Sequence, residues 1–221
     1  MTRIVLRPLA SPLPLPFFAF GAGSLMLSGL QLGTIPASET RSVAIVQAAF
    51  VFPPLALSSV LAFLSRETLG ATIMALISFS WLANGLIDLT TPPTSTNATQ
   101  GLLALALAAI LLLVAGGALL GKPLLGLVIA LASARFATTG LYEMTAATNL
   151  QTASGVLGCV IAAIALYGGL ALGLALGLED LQGKAVLPIG RRGAAARRAF
   201  EGDLGEQVGP VESEAGVRKQ L

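Results

Sequence analysis

Residues 101–121 have the sequence GLLALALAAILLLVAGGALLG, which contains only Gly, Ala, Val, Leu and Ile. The hydrocarbon core of a bilayer is about 30 Å thick, and a helix that rises about 1.5 Å per residue crosses it with roughly 20 apolar residues. Because no side chain in this stretch is charged or able to form a hydrogen bond, the stretch predicts a transmembrane helix.

The rest of the chain shares this apolar character. Of its 221 residues, 55% are hydrophobic and 11% are charged, and the mean hydropathy is +0.84. A soluble domain of this length could not bury so much apolar surface. The small net charge of +2 does not indicate a nucleic-acid partner. The partner that this composition predicts is the lipid bilayer.

Five further runs are long enough to cross a membrane, so the sequence predicts an all-α, polytopic bundle of six transmembrane helices. Short loops between the runs make consecutive helices antiparallel neighbours. The six runs are 8–38 (centred on 17–33), 42–65, 68–87, 101–121, 123–142 and 151–178. The predicted domains are a cytoplasmic arm with a Pro-rich opening at 1–12, a six-helix transmembrane domain at 13–178, and a cytoplasmic tail at 179–221 that is largely disordered after residue 190.

The first run also admits a signal peptide, because Arg3 and Arg7 precede it and small residues follow it. The run is longer than the apolar region of a signal peptide, and its four prolines are typical of an ordered segment. We therefore expect it to form the first span.

The distribution of Lys and Arg predicts the orientation, because cationic loops stay on the cytoplasmic side. With both termini inside, eleven of the thirteen cations are cytoplasmic, Arg41 is external and Arg135 lies within the membrane. This asymmetry predicts a multi-pass protein of the plasma membrane with cytoplasmic N and C termini.

The sequence offers few groups for catalysis or metal binding. It has no histidine, and Cys159 is its only cysteine. A disulfide within the chain and a thiolate metal site are therefore excluded, and no cofactor is predicted. A nucleophile beside a base, a phosphate-binding loop and a carboxylate pair at catalytic spacing are all missing from the sequence. We expect a protein that is not an enzyme.

Pro53 and Pro54 lie midway along the second run. Proline removes a backbone donor and clashes with the preceding turn, so the pair predicts a kink or a break in this helix. Broken helices in membranes often form substrate sites, whereas a kink can be purely structural. Both interpretations are open at this stage.

Arg135 lies about 12 residues, or roughly 18 Å, beyond Pro123, near the middle of the bilayer. A charge at that depth is costly unless it faces the bundle interior or reaches the interface. Asp88 or Glu143 could pair with it, an anionic substrate could be drawn to it, or the helix boundary could be shifted. Asp88 and Glu143 could also relay protons.

Three segments resemble the acetate uptake transporter family, the YaaH-like acetate and succinate permeases. SPLPLPF at 11–17 followed by AFG at 19–21 resembles the family's Asn-Pro-Ala-Pro-Leu-Gly-Leu and Gly-Phe-Gly motifs. Residues 179–190 are similar to the segment that closes the family's last helix. Thr68-Leu69-Gly70 with Trp81 is similar to its Asn-Thr-Phe-Gly segment and the Phe-Trp of its third helix. The resemblance covers most of residues 11–190.

The resemblance implies a pore that substrate enters at the first motif and that narrows at bulky side chains. The implied residues at the opening are Ser11, Pro12, Pro14 and Leu15, and those at the constriction are Phe20, Ile77 and Leu131. The chain departs from the family at several of these positions. Ser11 replaces an Asn, Pro53 and Pro54 replace a glycine pair, and Ile77 replaces a tyrosine whose hydroxyl could bind a carboxylate.

By this resemblance the chain is expected to transport acetate, succinate or another short mono- or dicarboxylate, by proton coupling or as a channel. It is also expected to form a homo-oligomer, a hexamer in the family. An apolar constriction would favour small weak acids or neutral species over hydrated ions. Two alternatives are a membrane scaffold that does not transport and a channel for a small neutral solute such as ammonia.

Overall fold

The computed structural model describes residues 12–65, 67–93, 95–121, 123–177 and 187, and the chain is helical throughout these residues apart from short connections. Six long helices follow one another, which confirms the all-α bundle. They are α1 (Pro14–Gln31), α2 (Ala37–Leu64), α3 (Thr68–Thr90), α4 (Ala98–Gly121), α5 (Pro123–Thr145) and α6 (Thr148–Gly177). The predicted arm up to Ser11 and the predicted tail from 178 onward, apart from Leu187, lie outside the described residues.

Five helices, α2 to α6, are long and apolar enough to cross a membrane within the described residues. Large apolar side chains point away from the bundle along these helices, and Leu113 is 82% exposed. In water such a surface would cause aggregation, whereas in a bilayer it contacts lipid. The chain is therefore a helical membrane protein.

Helix α1 is the one long helix of the described chain that falls short of this criterion. It has 18 residues, which include two prolines and several glycines and serines. Eight of these residues are buried inside the protein, including Phe17, Phe20 and Ser28. The modest apolarity of α1 is therefore typical of a helix that packs against protein more than against lipid. The predicted count of six membrane crossings stays a prediction.

The helices pack most extensively in three pairs, α1 with α6, α4 with α5, and α2 with α3. Glycines allow two of these pairs to approach closely. A Cβ atom on Gly126 of α5 would lie 2.6 Å from the backbone N of Leu119, and one on Gly85 of α3 would lie 2.8 Å from the carbonyl oxygen of Ala44. A hydrophobic core with members from all six helices fills the centre.

Local signals set the ends of two helices. Gly33, with φ +78°, follows the end of α1, and its N–H donates to the carbonyl of Leu30. Asn97 caps the start of α4, because its Oδ1 accepts the N–H groups of Thr99 at 3.0 Å and Gln100 at 3.3 Å.

Helix α2 contains a π-helical segment, Gln47–Val51, directly before Pro53 and Pro54. Since the two prolines have no N–H, they cannot continue the α-helical hydrogen bonds of the preceding turn. The turn widens instead, and the N–H of Phe52 donates to the carbonyl of Gln47. The helix therefore changes register at the prolines and continues from Ala37 to Leu64 without ending.

Candidate functional site

Helices α1, α2, α3 and α5 line a small, partly open cavity of about 50 Å³. It lies in the half of the bundle where α1, α3 and α5 begin, which we call the apolar half. All the side chains that line it are apolar. They include Phe17 and Phe20 of α1, Leu55 of α2, Ile73 and Ile77 of α3, and Ile129 and Ala132 of α5. Because the wall offers no polar group, a solute must leave its water behind to enter.

Two of the three predicted constriction residues lie together on this wall. Phe20 and Ile77 are each 7% exposed, and Phe20 packs edge to face on Trp81 with ring centroids 6.1 Å apart. Leu131 is not among the lining residues and packs half-buried against the core. Its neighbour Ala132 faces the cavity in its place, because successive residues of a helix point about 100° apart. The constriction itself stays a prediction.

The opening motif borders the cavity through residues that the resemblance did not single out. Leu13 and Pro16 line the cavity, whereas Pro12, Pro14 and Leu15 do not. Pro14 begins α1, where its missing N–H is not needed by the helix. Leu15 is 42% exposed. Ser11 lies outside the described residues.

Beyond Phe20, Ile77 and Ala132, the same faces of three helices become polar. Residues three or four positions apart on a helix share a face. The stripe continues with Ser24, Ser28 and Gln31 on α1, with Trp81, Asn84 and Asp88 on α3, and with Arg135 and Thr139 on α5. We call this part of the bundle, where α1, α3 and α5 end, the polar half.

Arg135 is buried at 6% exposure and its described partners are neutral. Its Nη2 lies 3.5 Å from Ser28 Oγ and 3.3 Å from Gln31 Oε1. Gln31 in turn donates to Ser154 Oγ at 3.2 Å, and Ser154 and Thr139 share a hydrogen bond of 2.6 Å. The pairing of Arg135 with Asp88 or Glu143, one of the possibilities left open by the sequence, is absent from the contacts of the described residues.

Both carboxylates are bound elsewhere in the polar half. Asp88 accepts hydrogen bonds from Gln47 Nε2 at 3.4 Å and from Gln100 Nε2 at 3.2 Å. Glu143 accepts the backbone N–H of Asn97 at 2.8 Å. In the described part of the chain, His, Cys, Asp and Glu side chains form no group of three that could hold a metal ion.

Several buried polar atoms have no hydrogen-bond partner among the described residues. Four of the five belong to the polar half, namely Ser24 Oγ, Gln47 Oε1, Trp81 Nε1 and Asn84 Oδ1, and the fifth is Ser58 Oγ. Buried polar atoms in native proteins are nearly always paired, if necessary with water. The polar half is therefore chemically suited to water or a polar solute, and the apolar half is not.

The residues around Arg135 and Asp88 were not singled out from the sequence. They are Ser28, Gln31, Gln47, Gln100, Ser154 and Gly158. A usable signal was present, because these polar residues lie in apolar runs and Ser24, Ser28 and Gln31 recur at helical spacing on one face.

Among solved structures, that of the bacterial acetate channel SatP has the same fold. Its TM-score with this chain is 0.72 at 22% sequence identity, and the match covers 82% of this chain and 99% of that chain. No family model and no curated protein matches the sequence. The structural match confirms, for the fold, the resemblance to the acetate uptake transporter family.

Proposed function

We propose that this protein passes acetate, or another small mono- or dicarboxylate, across the membrane and is not an enzyme. The observation that carries the proposal is the apolar cavity bounded by Phe20 and Ile77 inside a bundle with the fold of an acetate channel. Passage would run from this cavity into the polar half.

The chemistry of the cavity favours small carboxylates over inorganic ions. An apolar wall cannot replace the water of a small hydrated ion, so such an ion meets a high barrier. A weak acid with a methyl group has an apolar part that fits the wall and loses less hydration free energy when neutral. This supports a narrow, channel-like or proton-coupled route, with Asp88 and Glu143 as candidate proton carriers.

The proposal includes the finer features expected from the sequence. These are six membrane crossings with α1 as the first, cytoplasmic N and C termini, the plasma membrane as location and a homo-oligomeric assembly. The extended exposed apolar surface of α4 supports contact with lipid or with a second copy. Cysteine accessibility at residues near both termini would test the orientation.

The direct test is uptake of labelled acetate into liposomes that contain the purified protein. We expect uptake above that of empty liposomes, saturable and reduced by unlabelled acetate. Uptake equal to that of empty liposomes would refute the proposal.

Ile77→Tyr sharpens the test by placing a hydroxyl on the cavity wall. A changed rate or substrate preference in this variant supports passage through the cavity. If neither form carries acetate, the scaffold interpretation is favoured. Swelling of the liposomes in ammonium salts without any acetate dependence would favour a channel for a neutral solute, which an all-apolar wall would also suit.

A further inference from the structure

Arg135 is a buried cation whose contacts with the described residues include no anion. The structure describes two hydrogen bonds from it, both from Nη2 and both long, at 3.5 Å to Ser28 and 3.3 Å to Gln31. Charges buried within membranes are otherwise paired with an opposite charge or bound to several polar groups. The neighbourhood of Arg135 is therefore short of negative charge.

The two carboxylates that could supply this charge are held away from Arg135. Asp88 is bound by two glutamine side chains, and Glu143 by the backbone of Asn97. Neither residue contacts the guanidinium. The missing negative charge would have to come from outside the described helices.

The bundle makes room for the guanidinium at one point on α6. A Cβ atom on Gly158 would lie 2.6 Å from Cζ of Arg135 and would also collide with Ser28 Oγ. Only glycine therefore allows α6 to lie this close to both side chains. The Ser28 hydroxyl donates to the carbonyl oxygen of Ser24 at 2.7 Å. Thr139 and Ser154 share one hydrogen bond, so one of these two hydroxyls can donate a hydrogen bond to an anion.

Arg135 also follows directly on the wall of the cavity. The lining residues of α5 share one face of the helix and end at Ala132, and Arg135 lies three positions further on that face. On α1 the lining ends at Phe20, and Ser24 and Ser28 continue the same face. On the face of α5 that lines the cavity, Arg135 is therefore the first charged residue beyond the cavity wall.

We propose that Arg135, with Ser28, Gln31 and Ser154, forms a binding site for an ionised carboxylate between α1, α5 and α6. The planar guanidinium offers parallel N–H groups that match the two oxygens of a carboxylate. This inference rests on the proposed function and deepens it, since it assigns the charge of the species bound in the polar half. The apolar cavity then selects by size and apolar character, and the Arg135 site selects by charge.

The test is thermal unfolding of the purified protein in detergent with sodium acetate, with sodium chloride at equal ionic strength, and with acetamide as the uncharged analogue. A ligand that binds the native state raises its unfolding temperature, and the rise grows with the ratio of ligand concentration to Kd. We expect acetate to stabilise the wild type and chloride and acetamide to have little effect. Arg135→Gln is expected to weaken the apparent acetate affinity by at least about tenfold.

Arg41→Gln is the matched control, because Arg41 is an exposed cation at the start of α2 and should leave the acetate effect unchanged. An equal acetate effect in Arg135→Gln, or equal stabilisation by acetamide and acetate, would overturn the site. If Arg135→Gln is not recovered folded, Arg135→Lys and Ser28→Ala replace it. A reduced acetate effect in either supports the site, and an unchanged effect in both overturns it.

Liposome uptake separates this proposal from the proposed function. Acetate uptake by the wild type without Arg135-dependent acetate binding would overturn the site and leave the function intact. Acetate binding that depends on Arg135, in a protein that carries no acetate, would retain the site and overturn transport.

Discussion

The apolar half and the polar half of this bundle are built on the same three helix faces but have opposite chemistry. The cavity between α1, α2, α3 and α5 is lined by side chains such as Phe17, Ile73 and Ile129, and none of the lining side chains is polar. One to three turns further on, the same faces carry Ser28, Asp88 and Arg135. A change of residue type along each stripe, with no change of fold, therefore divides one interior into an apolar region and a polar region.

The largest expected effect comes from placing a charge in the apolar half. Ile73→Glu would bury an unpaired carboxylate at a position 3% exposed, and we expect a loss of at least about 3 kcal/mol in the free energy of unfolding. Thermal unfolding in detergent and the yield of monodisperse protein measure it. Ile73→Met, of similar volume, should cost less than about 1.5 kcal/mol. An Ile73→Glu variant as stable as the wild type would indicate that water reaches the apolar half. It would contradict the difference in chemistry between the two halves.

A smaller effect is expected where α3 meets α2 in the polar half. A Cβ on Gly85 would lie 2.8 Å from the backbone oxygen of Ala44, so Gly85→Ala must separate the helices, at a cost of about 1–3 kcal/mol. Gly116→Ala in α4 is the control, because nothing lies within 4 Å of its Cβ, and alanine should stabilise the helix by up to about 1 kcal/mol. If the two variants change the free energy of unfolding with opposite signs, the close approach of α3 and α2 is confirmed. Equal changes would contradict it.

The hydrogen bonds of Asp88 should matter less than helix packing. Gln100→Leu removes the shorter of its two described bonds, and we expect a loss of about 1.5 kcal/mol, since the acceptor is a carboxylate. Gln151→Leu, at a half-buried glutamine on α6, should change the stability by about 0.5 kcal/mol or less. Adding Asp88→Asn to Gln100→Leu should recover part of the loss, because it removes a buried charge that has lost one of its two described donors. Strict additivity of the two substitutions would show that the bond contributes nothing.

The smallest expected effect is the difference in stability contributed by a hydrogen bond between two helices and by hydrogen bonds within one helix. Thr139→Val removes the 2.6 Å hydrogen bond to Ser154, which links α5 to α6 beside Arg135, and should cost about 1 kcal/mol. Thr138→Val removes only bonds to the carbonyls of its own helix and should cost less than about 0.5 kcal/mol. Chemical unfolding of the two variants measures the difference. Equal losses would mean that the network around Arg135 adds no stability.

Much of the fold could be predicted because the bilayer imposes a strong and simple rule on sequence. Any span needs roughly 20 apolar residues, so α3 to α6 are visible as apolar runs whose predicted ends lie within three residues of the observed ends. Helix α1 shows the limit of that rule. Its prolines, glycines and serines dilute its apolarity, because a helix packed against protein need not be as apolar as one packed against lipid.

The candidate site was less predictable. Phe20 and Ile77 were selected through family resemblance and do lie on one wall, whereas Leu131 points elsewhere, because a shift of one position on a helix turns a side chain by about 100°. Pro53 and Pro54 indicated disturbed hydrogen bonding, but nothing local distinguishes a break from a π-helical turn. The outcome depends on whether neighbouring helices keep the two parts in line.

Composition and the spacing of apolar runs were enough to establish a helical membrane protein, to predict its spans and to single out Arg135 as a charge at bilayer depth. These properties depend on the composition of each segment and on the bilayer or water around it, and not on which helices pack beside it. The partners of Arg135, the room made by Gly158 and the division into an apolar and a polar half were decided by the way α1, α5 and α6 cross. Contacts between residues more than a hundred positions apart arise only when helices pack, since no local preference along the chain encodes which faces will meet.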